Sequence, residues 1–319
     1  MPADSTAPRT ALVRDARYRR HDTPPGHPEQ PARYTAVVEG LAEAGLLDRL
    51  LDLAPRPAVE DEIAACHARD YIRLAQQEIA AGAGHLSTGD TDVSEASYEV
   101  ALLAAGGVLT AVDAVVEGRA GNAFCVLRPP GHHARPAQGM GFCVFNNIAV
   151  GARYAQQRHG LDRVLIVDWD VHHGNGTQDI FYADPSVFFA SSHQSPWYPG
   201  TGDARETGEG PGRGTTLNFP FPAGSGREEI LGAFRRKLLP EARAFQPDLV
   251  MISAGFDSRA GDPLGQFTLE DDDFVELTEM LRELADVTAG RRVVSVLEGG
   301  YNLAGLAAAA TTHVRALLA

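Results

Sequence analysis

The chain has 319 residues, of which 44% are hydrophobic and 22% charged. That composition excludes a disordered or collagen-like chain and supplies enough apolar material for a sizeable core. Lys and Arg number 28 against 42 Asp and Glu, and the net charge of −14 argues against a nucleic-acid binder, which needs a basic face.

An acidic field favours cationic small molecules or basic peptides as ligands. The three cysteines, Cys66, Cys125 and Cys143, are too few and too widely spaced for a disulfide framework or a zinc finger. Free thiols suit a reducing compartment. Residues 1–10 lack the basic-then-apolar order of a secretion signal, and no apolar run reaches the ~18 residues that span a bilayer. The expectation is a cytoplasmic protein without membrane or nucleic-acid partners, its oligomeric state open.

Residues 1–30 are rich in Pro, Arg and His and read as irregular. Apolar spacing of three and four predicts amphipathic helices over 31–47, 69–82, 94–117, 145–159, 227–245, 269–288 and 303–318. Between them lie β-branched or aromatic runs at 124–127, 164–167, 187–190, 216–219, 249–253 and 293–297. Most are continuously apolar, as strands of a parallel sheet covered on both faces must be. The alternation predicts one doubly wound α/β domain over 1–319.

Polar motifs follow these runs. Arg-Pro-Pro-Gly-His-His begins at 128, Asp-Trp-Asp-Val-His-His at 168, Ser-Ser-His at 191, Gly-Phe-Asp at 255 and Glu-Gly-Gly-Tyr at 298. Each sits at the C-terminal end of a predicted strand, the edge where open α/β sheets bind ligands.

Asp168, Asp170 and His172 alternate along an extended segment, so their side chains point one way. Asp and His together suit a borderline divalent metal; a surface loop with strand-capping aspartates is the plain alternative. Asp257 is either a turn residue or a third ligand, completing an Asp₂His set that leaves a catalytic metal position open. His132 and His133 follow a rigid Pro-Pro-Gly turn. Imidazoles are poised for proton transfer near neutral pH and need orienting partners; Asp168 and Asn175 are the acceptors at hand. Tyr301 follows two glycines and is either an oxyanion donor or a packed core tyrosine. Phe142 is a passage wall or core.

RPPGHHA (128–134), GFCVFNN (141–147), VDWDVHHGNGT (167–177), SAGFDS (253–258), GDPLG (261–265) and LEGGYN (297–302), preceded by HPEQPAR (27–33), resemble the histone deacetylase family. The pattern is that of its class II-like bacterial branch of deacetylases and acetylpolyamine amidohydrolases. The resemblance runs from about residue 20 to 318. It implies the arginase–deacetylase fold, a parallel sheet of about eight strands between helices. It implies zinc on Asp170, His172 and Asp257, with His132 and His133 as the acid–base pair and His133 as the base. Asp168 and Asn175 would orient the two histidines, and Tyr301 would stabilise the oxyanion. Phe142, Tyr198, Leu264, Gly141 and Gly300 would line the substrate tunnel, with Arg33 near the product exit. A potassium ion is implied at the main chain of Asp168, Asp170 and His172 and around Ser191 and Ser192.

The implied activity is hydrolysis of an N-acetylated amine, acetyl-lysine in a peptide or small molecule. An acetylpolyamine is the alternative. In one group of polyamine-specific relatives an acidic residue stands where this chain has Leu264. Asp90, Asp92 and Glu95 offer charge from another loop. A dimanganese ureohydrolase needs further carboxylates beside Asp257, where Gly255 and Arg259 stand. A non-catalytic acyl-lysine-binding module would have no need of His133 or Tyr301.

Overall fold

A computed structural model of the chain describes residues 9–319. The reading of the first ten residues as free of a signal falls almost wholly outside them. Eight strands form the sheet: β1 (Thr10–Val13), β2 (Leu51–Leu53), β3 (Asn122–Cys125), β4 (Val164–Asp168), β5 (Val187–Gln194), β6 (Thr216–Phe221), β7 (Leu249–Ala254) and β8 (Val293–Leu297). Their order is β2-β1-β3-β8-β7-β4-β5-β6, and every pairing is parallel. Strands β4, β5, β7 and β8 are buried at every residue, as expected of a parallel sheet covered on both faces.

The helices are α1 (Ala32–Glu43), α2 (Glu60–Ile63), α3 (Arg69–Ala80), α4 (Ser97–Val116), α5 (Asn147–His159), α6 (Asn175–Phe181), α7 (Arg227–Ala233), α8 (Leu239–Phe245), α9 (Asp271–Thr288) and α10 (Leu303–Leu318). One layer centres on α4 and α5, with α4 on β1, β3 and β8. The other centres on α1, α9 and α10, with α9 on β7 and β8. By length and composition α4 would suit a membrane, but 72% of its most apolar window is buried in this fold.

Three expectations are corrected. Residues 1–30 are not irregular throughout, because β1 lies at Thr10–Val13 and a 3₁₀ turn at Ala16–Arg20. Four residues are too few to show a period, and their burial comes from β2 and β3 on either side. The run at 187–190 extends to Gln194, so Ser191 and Ser192 stand inside β5, paired with Asn218 and Phe219 of β6, rather than in a loop. The helix expected over 227–245 is interrupted by a π turn at Phe234–Leu238. Pro240, just inside α8, has no N–H to continue the ladder.

The five motif-bearing segments belong to β3, β8, β7, β4 and β5, which are contiguous in the sheet. In register, Asp168 at the end of β4 pairs with Ser253 on one side and Ser191 on the other. The sheet order thus gathers at one edge motifs that begin as far apart as residues 128 and 298.

Candidate active site

Beyond β4 the chain leaves the ladder. Asp168 Oδ1 accepts the N–H of Asp170 at 3.0 Å, and Asp170 Oδ1 accepts that of His172 at 2.9 Å. Two of the three alternating side chains, Asp170 and His172, converge with Asp257 of the segment after β7. Their candidate ligand atoms all lie within 4.8 Å of one another, and all three residues are buried. Asp168 instead turns to His132, with 2.9 Å between Oδ2 and Nδ1.

The donor set fits a divalent cation. His172 Nδ1 stands 3.1 Å from both Asp170 Oδ1 and Asp257 Oδ2. These are the atoms that would hold the ion, with loss of the imidazole proton between them. The remaining carboxylate oxygens are held from behind: Asp170 Oδ2 accepts Gly299 N–H at 2.8 Å, and Asp257 Oδ1 accepts Val171 N–H at 2.9 Å. Such outer bonds orient metal ligands. A Cβ on Gly299 would collide with the carboxylates of Asp257 and Asp170. Burial pushes the Asp257 carboxyl up, and the neighbouring Asp170 adds to the shift. Two buried carboxylates in contact call for a cation.

His133 Nδ1 donates to Asn175 Oδ1 at 2.7 Å, where α6 begins. That bond fixes the neutral tautomer whose Nε2 is free to accept a proton. Burial holds His133 well below the ordinary histidine range, and positive charge on His132 and His172 adds to the shift. Burial opposes charge on His132 as well. There, Asp168, Asp170 and Glu298 outweigh it and hold the imidazole well above its ordinary value.

A pocket of about 240 Å³ opens over these groups. His133, His172 and Tyr301 reach it from below. Gly141, Phe142 and Tyr198 form its walls, and Asp90, Trp197 and Leu264 its rim. Gly141 and Phe142 both have positive φ, 58° and 67°, a conformation costly for an aromatic residue. It presents the ring against Tyr301, with 5.9 Å between centroids. A side chain on Gly141 would strike the His133 ring. Asp90 Oδ1 accepts Gly141 N–H at 2.7 Å and Tyr198 Oη–H at 3.3 Å. The Trp197 indole donates to Leu264 O at 2.8 Å.

Burial pushes the Tyr301 phenol well up against the opposing charge of Arg33, with Asp257 and Asp170 adding to the rise, so its hydroxyl remains a donor. The Arg33 guanidinium lies 5.0 Å from the Tyr301 ring centroid. Arg33 is buried and does not line the pocket. Its Nε donates to Gly300 O at 2.7 Å, and Gly300, expected on the tunnel wall, is not among the residues lining the pocket.

Residues to which the sequence reading gave no role complete the site. Glu29 is buried and accepts Arg33 Nη1 at 3.0 Å and Arg128 Nη2 at 2.6 Å. Asp262 Oδ2 accepts the N–H groups of Tyr301 and Asn302 at 2.7 and 3.1 Å. Glu298 accepts the N–H groups of Gly131 and His132. The HPEQPAR, GDPLG and LEGGYN motifs contain all three, but their spacing does not reveal these partners.

Residues 27–317 match the model of the histone deacetylase domain. The chain is 43% identical to histone deacetylase 10, chloroplastic, of Oryza sativa subsp. japonica, over 92% of this chain and 70% of that one. It is 42% identical to the polyamine deacetylase HDAC10 of Homo sapiens, over 93% of this chain and 45% of that protein. It is also 42% identical to a histone deacetylase-like amidohydrolase of Pseudomonas aeruginosa, over 87% and 73%. The crystal structure of the HDA15 HD domain superposes with a TM-score of 0.92 at 39% identity, covering 97% of this chain and 89% of that one. With its eight-stranded parallel sheet and its motifs gathered at one edge, the chain belongs to the histone deacetylase family of hydrolytic enzymes.

Proposed function

We propose that this protein is a zinc-dependent deacetylase that hydrolyses the amide of an N-acetylated amine, with acetyl-lysine in a peptide or small molecule as the preferred substrate. The observation that carries the reading is the convergence of His133, His172 and Tyr301 on one 240 Å³ pocket, with His132 beside His133 and with Asp170 and Asp257 beside His172. Asp170, His172 and Asp257 would hold the metal, and two carboxylates with one imidazole suit zinc. When bound, the metal supplies Lewis acidity toward the carbonyl and the attacking water.

The chain's own groups do the rest. His133 Nε2 takes a proton from the attacking water and returns one to the leaving nitrogen. His132, held charged by Asp168, adds positive charge beside the developing oxyanion. The Tyr301 hydroxyl donates to that oxyanion, a contribution of about 3–4 kcal/mol for one such donor. The products are a free amine and acetate. The buried Asp170 and His172 carbonyl oxygens accept no hydrogen bond among the described residues. That supports a potassium site at the main chain of Asp168, Asp170 and His172, near Ser191 and Ser192. The three buried free cysteines support a reducing compartment such as the cytoplasm.

Leu264 at the rim carries no charge, which favours acetyl-lysine. The second reading, an acetylpolyamine, is favoured by Asp90 at the same rim. Elemental analysis of protein purified without chelator, with acetate release from an acetyl-lysine peptide, tests the proposal. Near one zinc per chain and turnover are expected. Two manganese ions per chain, or a zinc-loaded protein that releases acetate from no acetylated amine, would sink it.

A further inference from the structure

Glu298 is the first residue after β8 and is buried. Its Oε2 accepts the main-chain N–H of Gly131 at 2.7 Å and of His132 at 3.1 Å, and its Oε1 accepts Ser253 Oγ–H at 3.3 Å. Tyr301 follows three residues later. The side chain of Glu298 therefore crosses from the loop that carries the phenol to the loop that carries both histidines.

That crossing occurs where the sheet has ended. Strands β3 and β8 pair only as far as Cys125 and Val296. Beyond them, among the described residues, no main-chain hydrogen bond joins 126–134 to 298–302. Other polar links between the two loops are relays through intermediate residues. One runs from Arg128 to Glu29, Glu29 to Arg33, and Arg33 to the carbonyls of Glu298 and Gly300. Another runs from His132 to Asp168, Asp168 to Asp170, and Asp170 to Gly299 N–H. Glu298 makes the same connection with one side chain. A buried carboxylate is costly unless its acceptor positions are used, and here they are used on the backbone that supports the acid–base pair.

We propose that Glu298 is a positioning residue for catalysis: by accepting the N–H groups of Gly131 and His132, it sets where His132 and His133 stand relative to Tyr301. The inference rests on the deacetylase reading above. Displacing reacting groups by about 1 Å costs on the order of 10²-fold in rate. The requirement is for an acceptor oxygen at this reach. A glutamine oxygen meets it, a shorter aspartate does not reach, and a methionine of similar length offers no comparable acceptor.

The test compares Glu298→Gln, Glu298→Asp and Glu298→Met with the native full chain, metal-loaded, on an acetyl-lysine peptide. Metal content and thermal melting are followed alongside. E298Q is expected within threefold of native kcat. E298D and E298M are expected to lose tenfold or more in kcat, with KM and metal content unchanged. A greater loss in E298Q, kcat within threefold of native in a folded E298D or E298M, or an effect carried by KM or by metal loss overturns the proposal. So does failure of both E298D and E298M to fold, which makes Glu298 an anchor of the fold alone. An inactive native enzyme removes the deacetylase reading and this inference with it. An active native enzyme whose variants fail these expectations removes this inference alone.

Discussion

The rings of His132 and His133 lie 4.0 Å apart, yet burial and neighbouring positive charge keep His133 neutral while nearby carboxylates hold His132 charged. Asp168 faces the first and the neutral amide of Asn175 the second. Groups pushed apart in this way divide acid and base roles between them. His133→Ala is therefore expected to lower kcat by about 10²–10⁴, the scale of one general acid–base group, and His132→Ala by less. Equal losses in the two variants at neutral pH would remove the asymmetry.

Asp257 contributes one of three candidate ligand atoms and faces His172. Asp257→Ala leaves one carboxylate and one imidazole, too few for a structural or catalytic zinc site. The variant is expected to purify with little metal and to be inactive at any practical zinc concentration. A stoichiometric metal content in this variant would place the ion elsewhere.

The Tyr301 hydroxyl contributes to rate only if it meets charge that develops in the transition state. Tyr301→Phe keeps the ring beside Arg33 and Phe142. A fall of about 10²–10³ in kcat is expected, with unchanged metal content. Activity within threefold of native would mark the residue as packing.

Leu264 and Asp90 share the rim. Asp90 Oδ1 already accepts two hydrogen bonds, which lessens its draw on a distal ammonium. The expected order of kcat/KM is acetyl-lysine peptide above N-acetylputrescine and N-acetylspermidine, and Leu264→Glu should move the ratio toward the polyamines. A tenfold polyamine advantage in the native enzyme, about 1.4 kcal/mol, would overturn the order and make Asp90 the deciding residue.

His67 tests acid stability away from the metal triad. Its Nδ1 donates to Arg135 O at 3.0 Å and its Nε2 accepts Asn146 N–H at 2.9 Å, so both nitrogens are committed to the neutral form. Burial lowers its pKa to about 4, below the ~6.5 of the unfolded chain. Its contribution to stability is complete above pH ~6.5 and is lost as the pH falls toward 4, at up to about 1.4 kcal/mol per pH unit. His67→Gln should therefore melt with a shallower fall between pH 7 and 5 than the native chain. Parallel curves would refute the assignment.

The motif segments and six of the eight strands were legible because strong apolar runs ended in unusual polar clusters. Strand β2 was not, since three half-exposed residues carry no readable period, nor was β1, which lies in a stretch whose Pro, Arg and His content reads as irregular. The candidate metal triad could be read from two motifs. The carboxylates behind it could not, because Glu298 meets Gly131 across 167 residues and Glu29 meets Arg128 across 99. No local pattern encodes such pairings. Gly300, expected on the tunnel wall from the family resemblance, is not among the residues that line the pocket.

Strand β8 is the last strand in the chain and sits near the middle of the sheet, between β3 and β7. Until it docks, β2-β1-β3 and β7-β4-β5-β6 share no ladder bond, although every other strand has already been made. During synthesis from the N-terminus, the emerging polypeptide therefore carries two separate half-sheets with unsatisfied inner edges, each a template for misplaced pairing. The domain depends on β8 to close this seam. Assembly of the catalytic edge thus waits on β8, and a nascent chain has no competent site before β8 and the Tyr301 loop that follows it have emerged.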